Sequence, residues 1–115
     1  MLMENYKIKS RIWIESGDTV LIGEGRTQLL KAIEAEGSLS KAAKAIGMSY
    51  KKAWKLVDAV NKSAKQDVVI RKIGGSQGGG TEVTPYGKKL IAAFDTINKN
   101  CWAYLDQQLK ILETI

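Results

Sequence analysis

From Tyr6 to Glu15 apolar and polar residues alternate, with Tyr6, Ile8, Ile12 and Ile14 on one side and Lys7, Lys9, Arg11, Trp13 and Glu15 on the other. Ser10 is the one polar member of the inner row. A period of two predicts a half-buried strand. Gly17-Asp18 suits a tight turn and Thr19 to Ile22 is rich enough in β-branched residues to return, so a β-hairpin is expected over residues 6–22. A two-stranded ribbon does not stand alone in water, and this one must pack on helices or pair elsewhere. Past Gly23 to Gly25 the period becomes helical. Leu29, Leu30 and Ile33 share one side of a segment from Arg26 to Glu36, which Gly37 closes.

Two further amphipathic segments follow without a long connection. Leu39, Ala42, Ala43 and Ile46 stand at i, i+3, i+4 and i+7, with Ser38 placed to cap the helix and Gly47 to end it. Ser49 can cap the next helix, where Ala53, Leu56, Val57, Val60 and Ala64 make the buried stripe. At about 100° per residue, Lys51, Lys55 and Lys62 fall near the opposite side. The pair reads as a helix-turn-helix over residues 38–65, the end of a three-helix unit spanning 26–65. Trp54 lies at the border of the apolar stripe, where packing at the edge of the core is favoured over stacking on a base.

Val68 to Ile73 and Thr81 to Thr84 are short β-rich runs joined by a loop with five glycines, a hairpin over 68–84 that would form a wing. Glycines lower the steric barrier to close approach, and Arg71, Lys72, Ser76 and Gln77 offer donors to phosphate or to a groove edge. The sequence argues against a nucleotide site here, because no G-K-[ST] and no strand-loop-helix surrounds the glycines. Thr84-Pro85 starts a last, long helix over 85–113, with threonine as cap and the chain's single proline in the first turn. Along it Leu90, Phe94, Ile97, Cys101, Tyr104, Gln108, Ile111 and Ile115 form a seam spaced alternately by four and three, flanked by a second row of Trp102, Leu105, Leu109 and Leu112. A helix of that length, on the order of 40 Å, outruns so small a domain, so its far end calls for apolar cover. A two-fold dimer through Ile97, Cys101, Trp102, Leu105, Leu109 and Leu112 is the simplest closed solution; folding back on the N-terminal ribbon is the alternative.

Charge changes the picture at one place. The chain carries 18 basic and 12 acidic residues, net +6, and residues 38–65 alone hold seven lysines against Asp58. The whole positive excess therefore sits in the helix pair, the electrostatic footprint of a polyanion partner. A solvated lysine face is the plainer alternative. The chemistry of catalysis is missing: there is no histidine, and the single cysteine, Cys101, lies on the apolar seam without an activating neighbour. No enzyme, metal site or cofactor is expected.

The run GSLSKAAKAIGMSYKKAWKLVDAVN, followed by GGSQGGGTEVTPYGKKL, resembles the N-terminal DNA-binding domain of the ModE family of molybdate-dependent transcriptional regulators, over about residues 25–95. A more distant resemblance is to the DNA-binding domain of LysR-type regulators, whose wing also leads into a T-P-x-G helix start. The resemblance implies a helix entering the major groove from Ser49, with Ser49, Tyr50, Lys51, Lys52 and Lys55 nearest bases and phosphates. Ser40, Lys41 and Lys44 on the preceding helix would hold the backbone. In the family a molybdate-binding region follows the long helix, whereas this sequence stops at Ile115, so molybdate binding is not expected in it.

With 44% apolar and 26% charged residues and no apolar run long enough for a bilayer, the chain fits one domain, 1–115. No signal peptide is visible, and a lone cysteine suits a reducing cytoplasm. The expected fold is α+β and mostly α: a winged helix-turn-helix with an N-terminal β-hairpin and a long C-terminal dimerisation helix. The expected function is sequence-specific binding of double-stranded DNA as a homodimer, in transcription regulation. A protein-interaction module that binds an acidic partner is the rival.

Overall fold

The computed structural model describes residues 5–72 and 80–115. Strands β1 (Trp13–Ser16) and β2 (Thr19–Gly23) pair antiparallel, with Ile14 opposite Ile22 and Ser16 opposite Thr19. Gly17 turns the chain at φ 62°, a region that side chains with a Cβ avoid. The alternation of exposed and half-buried residues runs back to Lys7, yet the ladder begins only at Trp13, and Tyr6 is exposed. The reason lies in the partner strand: β2 reaches Trp13 with Gly23 and then becomes helix, so it has no further residue to pair with residues 6–12. That segment instead passes beside the last helix, with Ser10 Oγ 3.8 Å from Cys101 Sγ.

Helix α1 (Glu24–Glu36) starts two residues earlier than the sequence suggests and takes Gly25 into its first turn, with Gly23 as an extended cap that contributes no side chain. Its start is braced by Arg26, whose guanidinium donates to the carbonyl of Val20; partial burial draws the Arg26 pKa below its ordinary value. Gly37 ends the helix at φ 71°, its N–H returning 2.8 Å to Ile33 O. Helix α2 (Leu39–Ala45) is capped by Ser38, and helix α3 (Tyr50–Ser63) by Ser49, each hydroxyl accepting the N–H three residues on at 3.1 Å. Between them Gly47 adopts φ 70°.

Strands β3 (Val69–Arg71) and β4 (Thr81–Val83) form a second two-stranded sheet, with Ile70 opposite Glu82. Helix α4 (Pro85–Gln108) follows at once and gives way to a 3-10 helix over Leu109–Thr114. The sequence pattern predicts a single α-helix to residue 113. Tighter winding to about three residues per turn sets Leu109 and Leu112 of the second apolar row in line.

The core is one cluster. Leu29, Leu30 and Ile33 of α1 meet Leu39, Ala42 and Ala43 of α2, Ala53 and Val60 of α3, Ile22 of β2, the wing residues Val68, Val69 and Val83, and Ile91 and Phe94 of α4. Leu56, Val57 and Ala64 border it half-buried. Past Phe94 no described residue of α4 is buried, and the molecule measures 65 × 29 × 22 Å. The fold is a mostly helical α+β winged helix.

Candidate nucleic-acid interface

Burying Ala53 and Val60 fixes the rotation of α3 and thereby turns Lys51, Lys52 and Lys55 outward, all exposed. Ser49 and Tyr50, at the start of the helix, are exposed as well, and so are Ser40, Lys41 and Lys44 on α2. The one acid of the helix pair, Asp58, is held by Lys62 at 2.9 Å, one turn further along α3. The five lysines Lys41, Lys44, Lys51, Lys52 and Lys55 therefore belong to a helix pair whose single carboxylate is already neutralised.

The wing is positioned by contacts the linear pattern hides. Asn61, near the end of α3, accepts from the N–H groups of Val68 and Val69 at 2.8 and 3.1 Å and donates to Val69 O at 2.9 Å. Its amide thus fastens α3 to the first strand of the wing. Thr84 caps α4 by accepting from Gly87 N–H at 3.0 Å while donating to Asp67 O at 2.7 Å. On the other side, Thr81 N–H donates to Gly37 O at 3.0 Å, which ties β4 to the α1–α2 turn.

These ties bring part of the expected site together and separate another part. Arg71 comes to the same surface hollow, about 340 Å³, as Ser38 and Ser40 of α2 and Tyr50 of α3. Lys72, one residue on, lies on the opposite face of the ribbon, paired with Glu82 at 3.1 Å beside a hollow it shares with Glu34 and Lys88. Strand alternation makes neighbours point apart, so Arg71 and Lys72 do not face one surface. Ser76 and Gln77 lie outside the described residues.

Trp54 is 48% exposed and Tyr50 51%. The indole borders a cleft between α3 and the wing together with Val57, Ile70 and Arg71, and a second depression with Tyr50 and Lys51. Packing at the edge of the core explains only part of its surface. The spacing of the α3 stripe does not signal this, because the cleft that Trp54 borders is completed by wing residues distant in sequence.

At the far end of the molecule the expected dimer residues remain uncovered to different degrees. Ile97 is 47% exposed, Trp102 37% and Leu112 38%, while Cys101, Leu105 and Leu109 are half-buried. Among the described residues no cluster of three or more metal-ligating side chains occurs, and no helix is long and apolar enough to cross a membrane.

No family model matches the chain. Its sequence is 37% identical to the molybdenum transport protein ModE of Azotobacter vinelandii over 98 residues, 85% of this chain and 36% of that protein. It is 42% identical to the DNA-binding transcriptional dual regulator ModE of Escherichia coli K12 over 72 residues, 63% of the chain and 28% of the regulator. The molybdenum-pterin-binding protein MopB of Rhodobacter capsulatus shares 47% identity over 76 residues, 66% of the chain and 28% of that protein. The chain thus spans about a third of the length of these relatives, and it matches the N-terminal part of ModE.

Proposed function

Since the chain belongs to the ModE family, corresponding to the N-terminal part of those proteins, we propose that it is a DNA-binding transcriptional regulator that acts as a homodimer. The observation that carries this is the convergence of Arg71 from the wing with Ser38 and Ser40 of α2 and Tyr50 of α3, beside the exposed lysines of α3. Helix-turn-helix docking sets the N-terminal turns of α3 into the major groove. Ser49, Tyr50, Lys51, Lys52 and Lys55 then stand nearest the bases and flanking phosphates, Ser40, Lys41 and Lys44 hold one backbone, and Arg71 reaches the other from the wing. Lysine is a point charge rather than a planar fork, so much of the affinity is independent of sequence. Ser76 and Gln77 of the glycine-rich loop add donors to phosphate or a groove edge in this proposal.

Dimerisation through Ile97, Cys101, Trp102, Leu105, Leu109 and Leu112 covers the exposed half of α4 and sets two recognition helices about 34–36 Å apart, or a multiple of that, for a palindromic site. Titration of a labelled random-sequence duplex at two salt concentrations tests the proposal. Binding that weakens steeply with salt is expected. Retention of a purely protein partner with no affinity for duplex at low salt would replace it with the protein-interaction module.

A further inference from the structure

Exposed aromatic surface on the recognition helix is a separate problem from its lysines. Tyr50 and Trp54 are one helical turn apart, each about half exposed, and frame one depression with Lys51. Arg71 of β3 stands with Trp54 at the cleft between α3 and the wing. The nearest acid, Asp58, lines the same cleft and is engaged by Lys62. Unlike the apolar rows of α4, this patch has cations at its edge, Lys51 in one depression and Arg71 in the other. A partner that fits it must be anionic at its rim and apolar at its centre. The major groove of an A·T-rich duplex has that character, with phosphates on both sides and thymine methyl groups on the floor.

We propose that Trp54, with Tyr50 one turn before it, reads thymine methyl groups in the duplex, resting on the DNA-binding role argued above. At about 100° per residue Trp54 stands some 60–100° from Lys51 and Lys55, so the ring reaches the groove floor while the ammonium groups reach phosphate. The indole is a rigid apolar plane that loses little freedom on contact, which makes it a better reader of a methyl group than of a hydrogen-bonding edge. Sequence preference in this chain then comes from an aromatic contact, and the lysines supply affinity without it.

The test compares an alternating A·T duplex with the same duplex carrying deoxyuridine for thymidine, which removes the methyl groups and leaves the phosphates unchanged. Anisotropy titrations at one salt concentration should show the wild type binding the thymine duplex about fourfold more tightly for each methyl covered, the ratio that burying one methyl-sized group gives. Trp54→Ala should bind both duplexes equally and keep the wild-type dependence on salt. Equal affinity of the wild type for the two duplexes would overturn the proposal, and needs no variant to be folded. So would a Trp54→Ala protein that retains the preference. A wild type that binds neither duplex would instead remove the DNA-binding role itself, a result distinguishable from loss of the thymine preference alone.

Discussion

Gly87 and Val68 touch through their backbones: a methyl group built on Gly87 would lie 2.5 Å from the carbonyl oxygen of Val68, with Val83 Cγ1 at 2.7 Å. Neither a carbonyl fixed in the wing nor a buried valine can move aside cheaply, so α4 can start this close to the wing only with glycine in its first turn. Gly87→Ala is expected to destabilise the fold by about 1–3 kcal/mol, the range for overpacking a filled site. Urea denaturation of the two proteins checks this, and equal midpoints would show that α4 can shift away from the wing.

Asn61 makes three hydrogen bonds to the wing, and two of them satisfy N–H groups of the buried residues Val68 and Val69. Asn61→Ala leaves those donors without their partner, which costs about 1–3 kcal/mol for a buried group. Stability by thermal denaturation should fall, and duplex affinity should fall further than that of a surface variant of equal stability. The second effect follows because the amide sets the wing against α3.

Lys51→Ala combined with Lys55→Ala should leave the fold intact, since both side chains are exposed. The slope of log affinity against log salt should flatten by about 0.9 for each phosphate that the protein no longer neutralises. An unchanged slope in a folded double variant would take α3 out of the interface.

Leu105→Glu or Leu109→Glu should yield a monomer, because an unpaired carboxylate in an apolar interface costs several kcal/mol. Both leucines are already half-buried within one chain and stand beside the exposed Trp102 and Leu112. Sedimentation equilibrium at micromolar concentration decides the matter, and a monomeric wild type would refute the dimer.

Molybdate titration should give no saturable heat below millimolar concentration on this chain. Lys41, Lys44, Lys51, Lys52 and Lys55 are all exposed, and charge in open solvent holds molybdate, sulfate and phosphate alike. A specific oxyanion site needs converging donors in a walled pocket. A stoichiometric micromolar isotherm would contradict this.

Local chemistry was readable from the chain and non-local chemistry was not. The caps Ser38, Ser49 and Thr84 each act on an N–H three residues away, and Gly37 and Gly47 act on their own backbone. Such effects are written in short windows of sequence. The stripes of α1, α2 and α3 were legible for the same reason. Asn61 and Gly87, by contrast, matter because of strands that arrive from elsewhere. Ile91 rather than Leu90 takes the buried position on α4, since Gly87, Ile91 and Phe94 form the face turned to the core. A heptad count assigns the seam by spacing and has no information on which side the core lies. For the candidate interface, the basic face of α3 follows from its stripe, whereas the separation of Arg71 from Lys72 depends on the pleat and on Glu82.

The unburied half of α4 has a hydrodynamic consequence. The radius of gyration is 17.8 Å, against about 13 Å for a compact chain of this length. A rod attached to a small globule experiences extra drag, so a single chain leaves a gel-filtration column early and imitates a larger sphere. Elution volume therefore overstates the association state, and a mass measurement such as light scattering is needed beside it. If two rods lie side by side, mass doubles while length hardly grows. The frictional ratio should then fall on association, the reverse of what two globules touching at a point would show.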